Sequence, residues 1–209
     1  MKSRYIFDED YTLLTPDWST TDQYFIDKFG DKAKPFLDNM SSILKVYERT
    51  FRRYDYEDLS RFLTHKTNLP ITKKDVKNWD ELVRFIKDTE EPYARDLLEY
   101  LKLNGVSLAV CTNWFADSQR ERLRRADLLK YFDSVFAGDI VTKPHKAAYL
   151  ISAAQYDPNE CTFVGDNVDF DYIGPKAVGM NAILYDKRDK HHKTLIKVRS
   201  LKYIKDYWR

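Results

Sequence analysis

Tyr5-Ile6-Phe7-Asp8-Glu9-Asp10-Tyr11-Thr12-Leu13 is the stretch on which the fold reading turns. Three apolar residues run straight into three consecutive acids. A short apolar run ended abruptly by a polar turn reads as a buried strand, over residues 4–7, whose carboxyl end opens on Asp8. An acidic turn after one strand means no more than a helix N-cap. It gains weight only if other strands of the chain end in the same manner.

They do. From Pro92 onward the pattern alternates. A helix over 93–104 stops at Gly105, and a strand over 106–111 ends in Thr112-Asn113. A helix over 116–125 and a strand over 134–137 follow, and Lys143-Pro144 opens another helix. A strand over 161–164 ends in Gly165-Asp166-Asn167, with Asp171 close behind at the head of a helix over 171–178. A strand over 182–185, then a terminal strand and helix, close the chain. Strands alternating with helices predict an α/β fold, a Rossmann-like parallel sheet with helices on both faces. Such sheets bind ligands at the carboxyl ends of their strands. Asp8, Asp10, Thr112, Asn113, Lys143, Asp166 and Asp171 are therefore expected along one edge.

Residues 19–91 have a different character: no strong strand runs, many helix formers, aromatics and charges, broken at Gly30, Pro35, Asn68-Leu69-Pro70 and Pro92. Leu59, Phe62 and Leu63 keep helical spacing, as do Leu82, Phe85 and Ile86. The expected organisation is a core domain built from residues 1–16 and 93–209, with a small all-helical domain, 17–92, inserted after the first strand.

Composition bounds the function. The 209 residues are 43% hydrophobic and 33% charged, which suits a packed core under a solvated surface. A net charge of +2, with both signs interspersed, gives no case for a nucleic-acid partner. No apolar run is long enough to span a bilayer. The amino terminus, Met1-Lys2-Ser3-Arg4, reaches an acidic residue too early for a signal peptide. A cytoplasmic protein is expected, as a monomer or a homodimer. Cys111 and Cys161 stand alone in apolar runs and read as buried core residues. Lys187 to Lys193 reads as a solvated basic loop.

The strand-end residues make chemical sense as a set. Crowded carboxylates repel unless a cation sits among them. Hard oxygen ligands suit Mg2+, which readily takes a substrate phosphate as a further ligand. A hydroxyl and backbone N–H groups at Thr112-Asn113 can hold phosphate oxygens, Lys143 can neutralise charge, and a carboxylate can attack phosphorus.

Tyr5 to Leu13 resembles the first motif of the haloacid dehalogenase superfamily, hhhDxDxTL. Ala109-Val110-Cys111-Thr112-Asn113 is similar to the second motif and Lys143-Pro144 to the third. Val164-Gly165-Asp166-Asn167, with Asp171 and Gly174, is similar to the fourth. The helical block matches in position the C1-type cap of many members. Asp117-Ser118-Gln119-Arg120-Glu121-Arg122-Leu123 looks like the phosphoglucomutase and pyrimidine nucleotidase-like branch. The resemblance implies a Mg2+-dependent phosphatase acting on a small phosphorylated metabolite, a sugar phosphate or nucleoside monophosphate. Asp8 would be nucleophile and metal ligand. Asp10 would be general acid and base, and a metal ligand through its carbonyl. Thr112, Asn113 and Lys143 would bind the phosphoryl group, Lys143 also holding Asp8. Asp166 would be a metal ligand, with Asp171 orienting Lys143 or a metal-bound water.

Rival readings are a sugar phosphomutase on the same fold, a haloacid dehalogenase, and a catalytically idle domain that binds phosphorylated ligands or a partner. The acids at Asp10 and Asp166 speak against the dehalogenase, and the full set of groups against the idle domain. Two positions depart from the family pattern: Tyr11, where glycine is frequent, either walls the active site or, the favoured reading, packs under the helical block, and Pro175 is expected to sit in the first turns of a helix. His145 reads as a solvated helix start, and Trp114 either lines the entrance or covers the sheet edge. Tyr47 and Phe51 are expected to pack inward from one helix. Arg49, Arg52 and Arg53 would share its other face, solvated or reaching the substrate.

Overall fold

The computed structural model describes residues 3–207. Residues 1, 2, 208 and 209, at the ends of the range expected for the core domain, lie outside them. In chain order the elements begin with β1 (Arg4–Phe7), β2 (Leu14–Asp17), α1 (Ser19–Phe29), α2 (Lys34–Thr50), α3 (Tyr56–Thr67), α4 (Lys73–Phe85) and β3 (Lys87–Glu90). They continue with α5 (Ala94–Leu103), β4 (Ser107–Cys111), α6 (Ala116–Arg125), β5 (Ser134–Phe136), α7 (Lys146–Ala153) and β6 (Cys161–Gly165). A π-helical turn (Val168–Ile173) leads into α8 (Gly174–Lys176), followed by β7 (Asn181–Tyr185), β8 (Lys197–Val198) and a 3-10 helix (Leu201–Tyr207).

Six strands form one sheet in the order β5-β4-β1-β6-β7-β8, and every pairing is parallel. The strand alternation explains why helices cover both faces. Tyr5, Phe7, Leu108 and Val110 join one core cluster with Leu97, Leu98 and Leu101 of α5 and Leu123 of α6. Ile6, Ala109, Cys111 and Phe163 join another with Ala148 and Tyr149 of α7. Each central strand thus buries both of its faces, as a parallel sheet requires. Cys111 and Cys161 are both buried and free. No helix among the described residues is long and apolar enough to cross a membrane.

Helices α1 to α4 pack around a separate cluster of Phe25, Phe36, Tyr47, Leu59, Leu63, Val76 and Trp79. Caps sharpen their ends: Asp55 accepts from the N–H groups of Glu57 and Asp58, and Thr72 and Asp75 form a reciprocal capping box. The sequence pattern misses the connections. β2 and β3 pair antiparallel, Leu14 against Glu90 and Asp17 against Lys87, so a two-stranded ribbon carries the chain out to the helices and back. Lys87–Glu90 has no apolar alternation to announce it; its residues are half exposed or exposed. The helix expected through Arg53 also stops early, because Phe51 is extended at φ −104°, ψ 137°. Tyr47 and Phe51 do stack, with ring centroids 4.5 Å apart. Arg52 and Arg53 lie beyond the helix end and are exposed.

Candidate active site

β1 lies between β4 and β6, so the residues that follow these three strands meet at one sheet edge. Asp8 follows β1, Thr112 follows β4 and Asp166 follows β6. Lys143 reaches them from the segment ahead of α7. All four line a cavity of about 440 Å³ shared with Asp10, Asn113 and Asp171. Every expected site residue therefore lies in this one cavity.

Lys143 is the centre of one cluster. Its Nζ donates to Asp8 Oδ1 at 2.8 Å and to Asp171 Oδ1 at 2.7 Å. Asp171 is also fixed by the backbone N–H of Asn167, 3.0 Å from its Oδ2. Gly165 makes this approach possible, since a Cβ there would stand 2.4 Å from the Asp171 carboxyl carbon. Asn113 sets the height of Lys143: its Oδ1 accepts from the Lys143 N–H at 2.8 Å and its Nδ2 donates to the Lys143 carbonyl at 3.2 Å.

Charge in this cluster is unbalanced. Burial alone would lower the Lys143 pKa, but Asp171 and Asp8 raise it well above its usual value, so it stays an ammonium. Burial raises Asp8 well above the usual carboxylate range, opposed by Lys143 and reinforced by Asp171 and Asp166. Burial, with Asp171 adding to it, pushes Asp166 to about 7. Asp8, Asp166 and Asp171 offer oxygens within 4.8 Å of one another. Three carboxylates against one ammonium, all oxygen donors, fit a hard divalent cation. The Asp10 carboxylate is not one of these three; its Oδ1 is turned to another cation.

That second direction leads to Arg122, a residue the sequence pattern does not single out. Its side chain is fully buried. Nη2 donates to Asp10 Oδ1 at 2.6 Å and to Asp88 Oδ1 at 2.8 Å, while Nε donates to Asp88 Oδ2 at 3.1 Å. Nη1 donates to Gln119 Oε1 at 2.8 Å, and Gln119 Nε2 donates to Thr112 Oγ1 at 3.1 Å. Glu9 is buried beside this cluster, its carboxylate 3.8 Å from Nη1 with no hydrogen bond, and burial raises its pKa well above the usual range. The clue in the sequence is spacing: Ser118, Gln119, Arg122 and Leu123 form the buried face of α6, putting an arginine where an apolar residue is expected.

The far wall of the cavity is α2, which contributes Leu37, Met40, Ser41, Leu44, Lys45 and Glu48 from one helical face. Glu48 is buried and accepts from Tyr54 Oη at 2.8 Å. Burial raises its pKa to about 7, against the Tyr54 and Asn113 hydrogen bonds that lower it. Thr142 Oγ1 donates to the carbonyls of Glu48 and Phe51, at 3.0 and 2.9 Å, binding the end of α2 to the segment that carries Lys143. Trp114 does more than line the entrance: it is buried against Tyr54 and Trp79, and its Nε1 donates to Asp80 Oδ1 at 2.8 Å. Arg52 and Arg53 do not line the cavity; Lys45 is the α2 cation that does. Arg49 pairs instead with Asp169 at 2.7 Å.

Tyr11 corrects another expectation. Packing under the helices would bury it, yet the residue is 44% exposed. It walls the cavity and its Oη accepts from Trp18 Nε1 at 2.9 Å. The backbone at Tyr11 keeps a left-handed φ of 59°, the conformation for which glycine is suited. His145 is half-buried at the head of α7, its Nε2 3.2 Å from the Phe51 carbonyl. Pro175 sits in the first turn of α8.

A family model described as haloacid dehalogenase-like hydrolase matches residues 6–179. A ribulose-1,5-bisphosphate 5-phosphatase of Halopiger xanaduensis is 31% identical over 107 residues, 49% of this chain and 45% of that protein. A phosphorylated carbohydrates phosphatase of Thermotoga maritima is 31% identical over 136 residues, 55% of this chain and 63% of that protein. The chain thus spans about half the length of these curated relatives. Among solved structures, the L-2-haloacid dehalogenase of Xanthobacter autotrophicus superposes with a TM-score of 0.72 at 18% identity, covering 98% of this chain and 97% of that one. At that identity the likeness speaks for the fold alone.

Proposed function

The chain belongs to the haloacid dehalogenase-like hydrolases, and we propose that within them it is a cytoplasmic Mg2+-dependent phosphatase of a small phosphate monoester, working through an aspartyl-phosphate on Asp8. The helical block 17–92 acts as its cap. One observation carries the reading: Lys143 bridges Asp8 and Asp171 while Asp166 stands within 4.8 Å of both carboxylates, in a cavity that also holds Thr112 and Asn113.

Asp8, Asp166 and the carbonyl of Asp10 would hold Mg2+, which supplies the positive charge that lets a carboxylate and a phosphate dianion approach each other. Thr112 and Asn113 bind the phosphoryl oxygens, and Lys143 aims Asp8 while opposing the burial that raises its pKa. An Asp8 oxygen bonds to phosphorus as the ester P–O bond breaks, and Asp10 delivers its proton to the leaving oxygen. Asp10, now a base, takes a proton from water as that water attacks phosphorus. The P–O bond to Asp8 then breaks and inorganic phosphate leaves.

The leaving group occupies the space between Tyr11, Trp18 and the α2 face. That wall combines Leu37, Met40 and Leu44 with Lys45 and Glu48, which suits a small polar metabolite such as a sugar phosphate or nucleoside monophosphate. Phosphate release from a panel of phosphorylated metabolites and one aryl phosphate, with Mg2+ and with EDTA, tests the reading. Magnesium-dependent release is expected, and release unaffected by EDTA would refute the metal role.

A further inference from the structure

We propose that Arg122 is the positioning residue for the general acid, and that it couples the orientation of Asp10 to the seating of the β2–β3 ribbon. The inference rests on the acid role assigned to Asp10 above.

Asp10 is only partly buried, with 29% of its side chain exposed, so packing alone does not select one orientation. Arg122 does. By taking Oδ1 at 2.6 Å it leaves Oδ2 as the oxygen that can face a leaving group. The guanidinium itself has no freedom. Asp88 grips it through two nitrogens, Gln119 holds the third, and the Trp18 ring lies 5.9 Å from its carbon. An arginine guanidinium keeps its charge in proteins, so it is a fixed cation.

The partners belong to different parts of the molecule. Arg122 and Gln119 stand on α6, packed on the sheet. Asp88 is on β3, the return strand of the ribbon, and Trp18 precedes α1. A shift of the ribbon moves Asp88, and with it the fork that aims Asp10. Gln119 extends the same chain to Thr112 Oγ1, so acid and phosphate-binding hydroxyl share one rigid frame. A lysine at this position could not make the planar fork, because its single ammonium cannot grip Asp88 through two nitrogens while also holding Asp10.

The test measures the phosphorylation step in single turnover, for an alkyl phosphate and an aryl phosphate, in Arg122→Lys with and without Asp10→Asn. A poor leaving group needs the acid and a good one does not. Arg122→Lys is expected to slow the alkyl ester about 10²-fold, the usual cost of misplacing a reacting group by about 1 Å. The aryl ester should slow by less than about tenfold, and in the Asp10→Asn background Arg122→Lys should add less than about threefold. Equal losses on both esters, or a full extra loss beside Asp10→Asn, would overturn the proposal and leave Arg122 a structural residue. If Arg122→Lys does not fold, Asp88→Asn decides: it loosens the fork with the Asp10 side chain unaltered, and must still slow the alkyl ester selectively. A wild-type protein inactive on both esters would refute the phosphatase reading. Equal loss on both in Asp10→Asn would refute the acid role.

Discussion

Two buried cations stand on either side of Asp8-Glu9-Asp10, and they organise their surroundings differently. Lys143 holds Asp8 and Asp171 with a compact ammonium, one partner just past β1 and the other in the π-helical turn that follows β6. Arg122 holds Asp10 and Asp88 with a planar fork, and one partner comes from the ribbon that leads to the helices. In both clusters carboxylates outnumber the cation, but only in the first do the oxygens of three of them, Asp8, Asp166 and Asp171, gather within 4.8 Å of one another, an arrangement that suits a hard cation. In the second, Asp10 and Asp88 are hydrogen-bonded to the arginine itself. One cluster is arranged for charge that arrives, the other for a geometry that must not move.

Breaking the first cluster at Asp8, the proposed nucleophile, should have the largest effect. Asp8→Asn is expected to abolish turnover, with a loss on the order of 10⁴-fold or more, because an amide neither attacks phosphorus nor balances Lys143. More than a few per cent residual activity would remove Asp8 from that role. Breaking the second cluster at Asp10→Asn should cost about 10²- to 10⁴-fold, with the larger loss on the alkyl ester. The two substitutions differ in kind: the first is blind to the leaving group and the second depends on it.

The first cluster can be sharpened further by separating its cation from its ligands. Asp166→Asn should raise the Mg2+ concentration for half-activation by about 10- to 100-fold, as weakened ligation does. Lys143→Ala should leave that concentration unchanged or lower it, while still slowing catalysis, since it removes a competing cation. Metal titrations with the opposite outcome would exchange the two assignments.

How much of this was legible in the sequence follows the same division. Asp8, Thr112, Lys143 and Asp166 each follow a strand or open a helix, so periodicity alone predicts that they converge at one edge. The sheet was legible for the same reason, because runs such as 108–111 and 182–185 are continuously apolar. Arg122 was not, since its partners depend on where the ribbon lies. The ribbon is invisible in Lys87–Glu90, whose stability comes from backbone pairing with β2 and not from apolar alternation. Arg52 and Arg53 are solvated, one of the two readings, but lie off the helix, because nothing before Asp55 marks its end at Thr50; Phe51 leaves the helix to meet the Thr142 segment, a tertiary demand. Tyr11 misled because a ring in a left-handed turn projects into the cavity mouth and not under the helices.

Glu48 belongs to neither cation and supplies the mildest contrast. Its folded-state pKa of about 7 lies above the ordinary value of 4.5, so folding favours the protonated form. The stabilisation from the neutral carboxyl is complete below about 4.5 and is lost as pH rises through 7. Glu48→Gln mimics the neutral form at every pH. Its Tm advantage over the wild type should therefore grow between pH 5 and pH 8, by roughly 5 °C. Parallel Tm curves for the two proteins would show that Glu48 is ionised in the fold throughout.

The central claim is that Asp8 carries the phosphoryl group. Acid quench of a single turnover with Mg2+, followed by peptide mass spectrometry, tests it most directly. The account predicts a transient phosphoryl group on the peptide containing Asp8, converted by borohydride to homoserine at that position and absent in Asp8→Asn. Phosphate release in the same turnover with the label on another residue, or with no covalent species at any quench time, would contradict it.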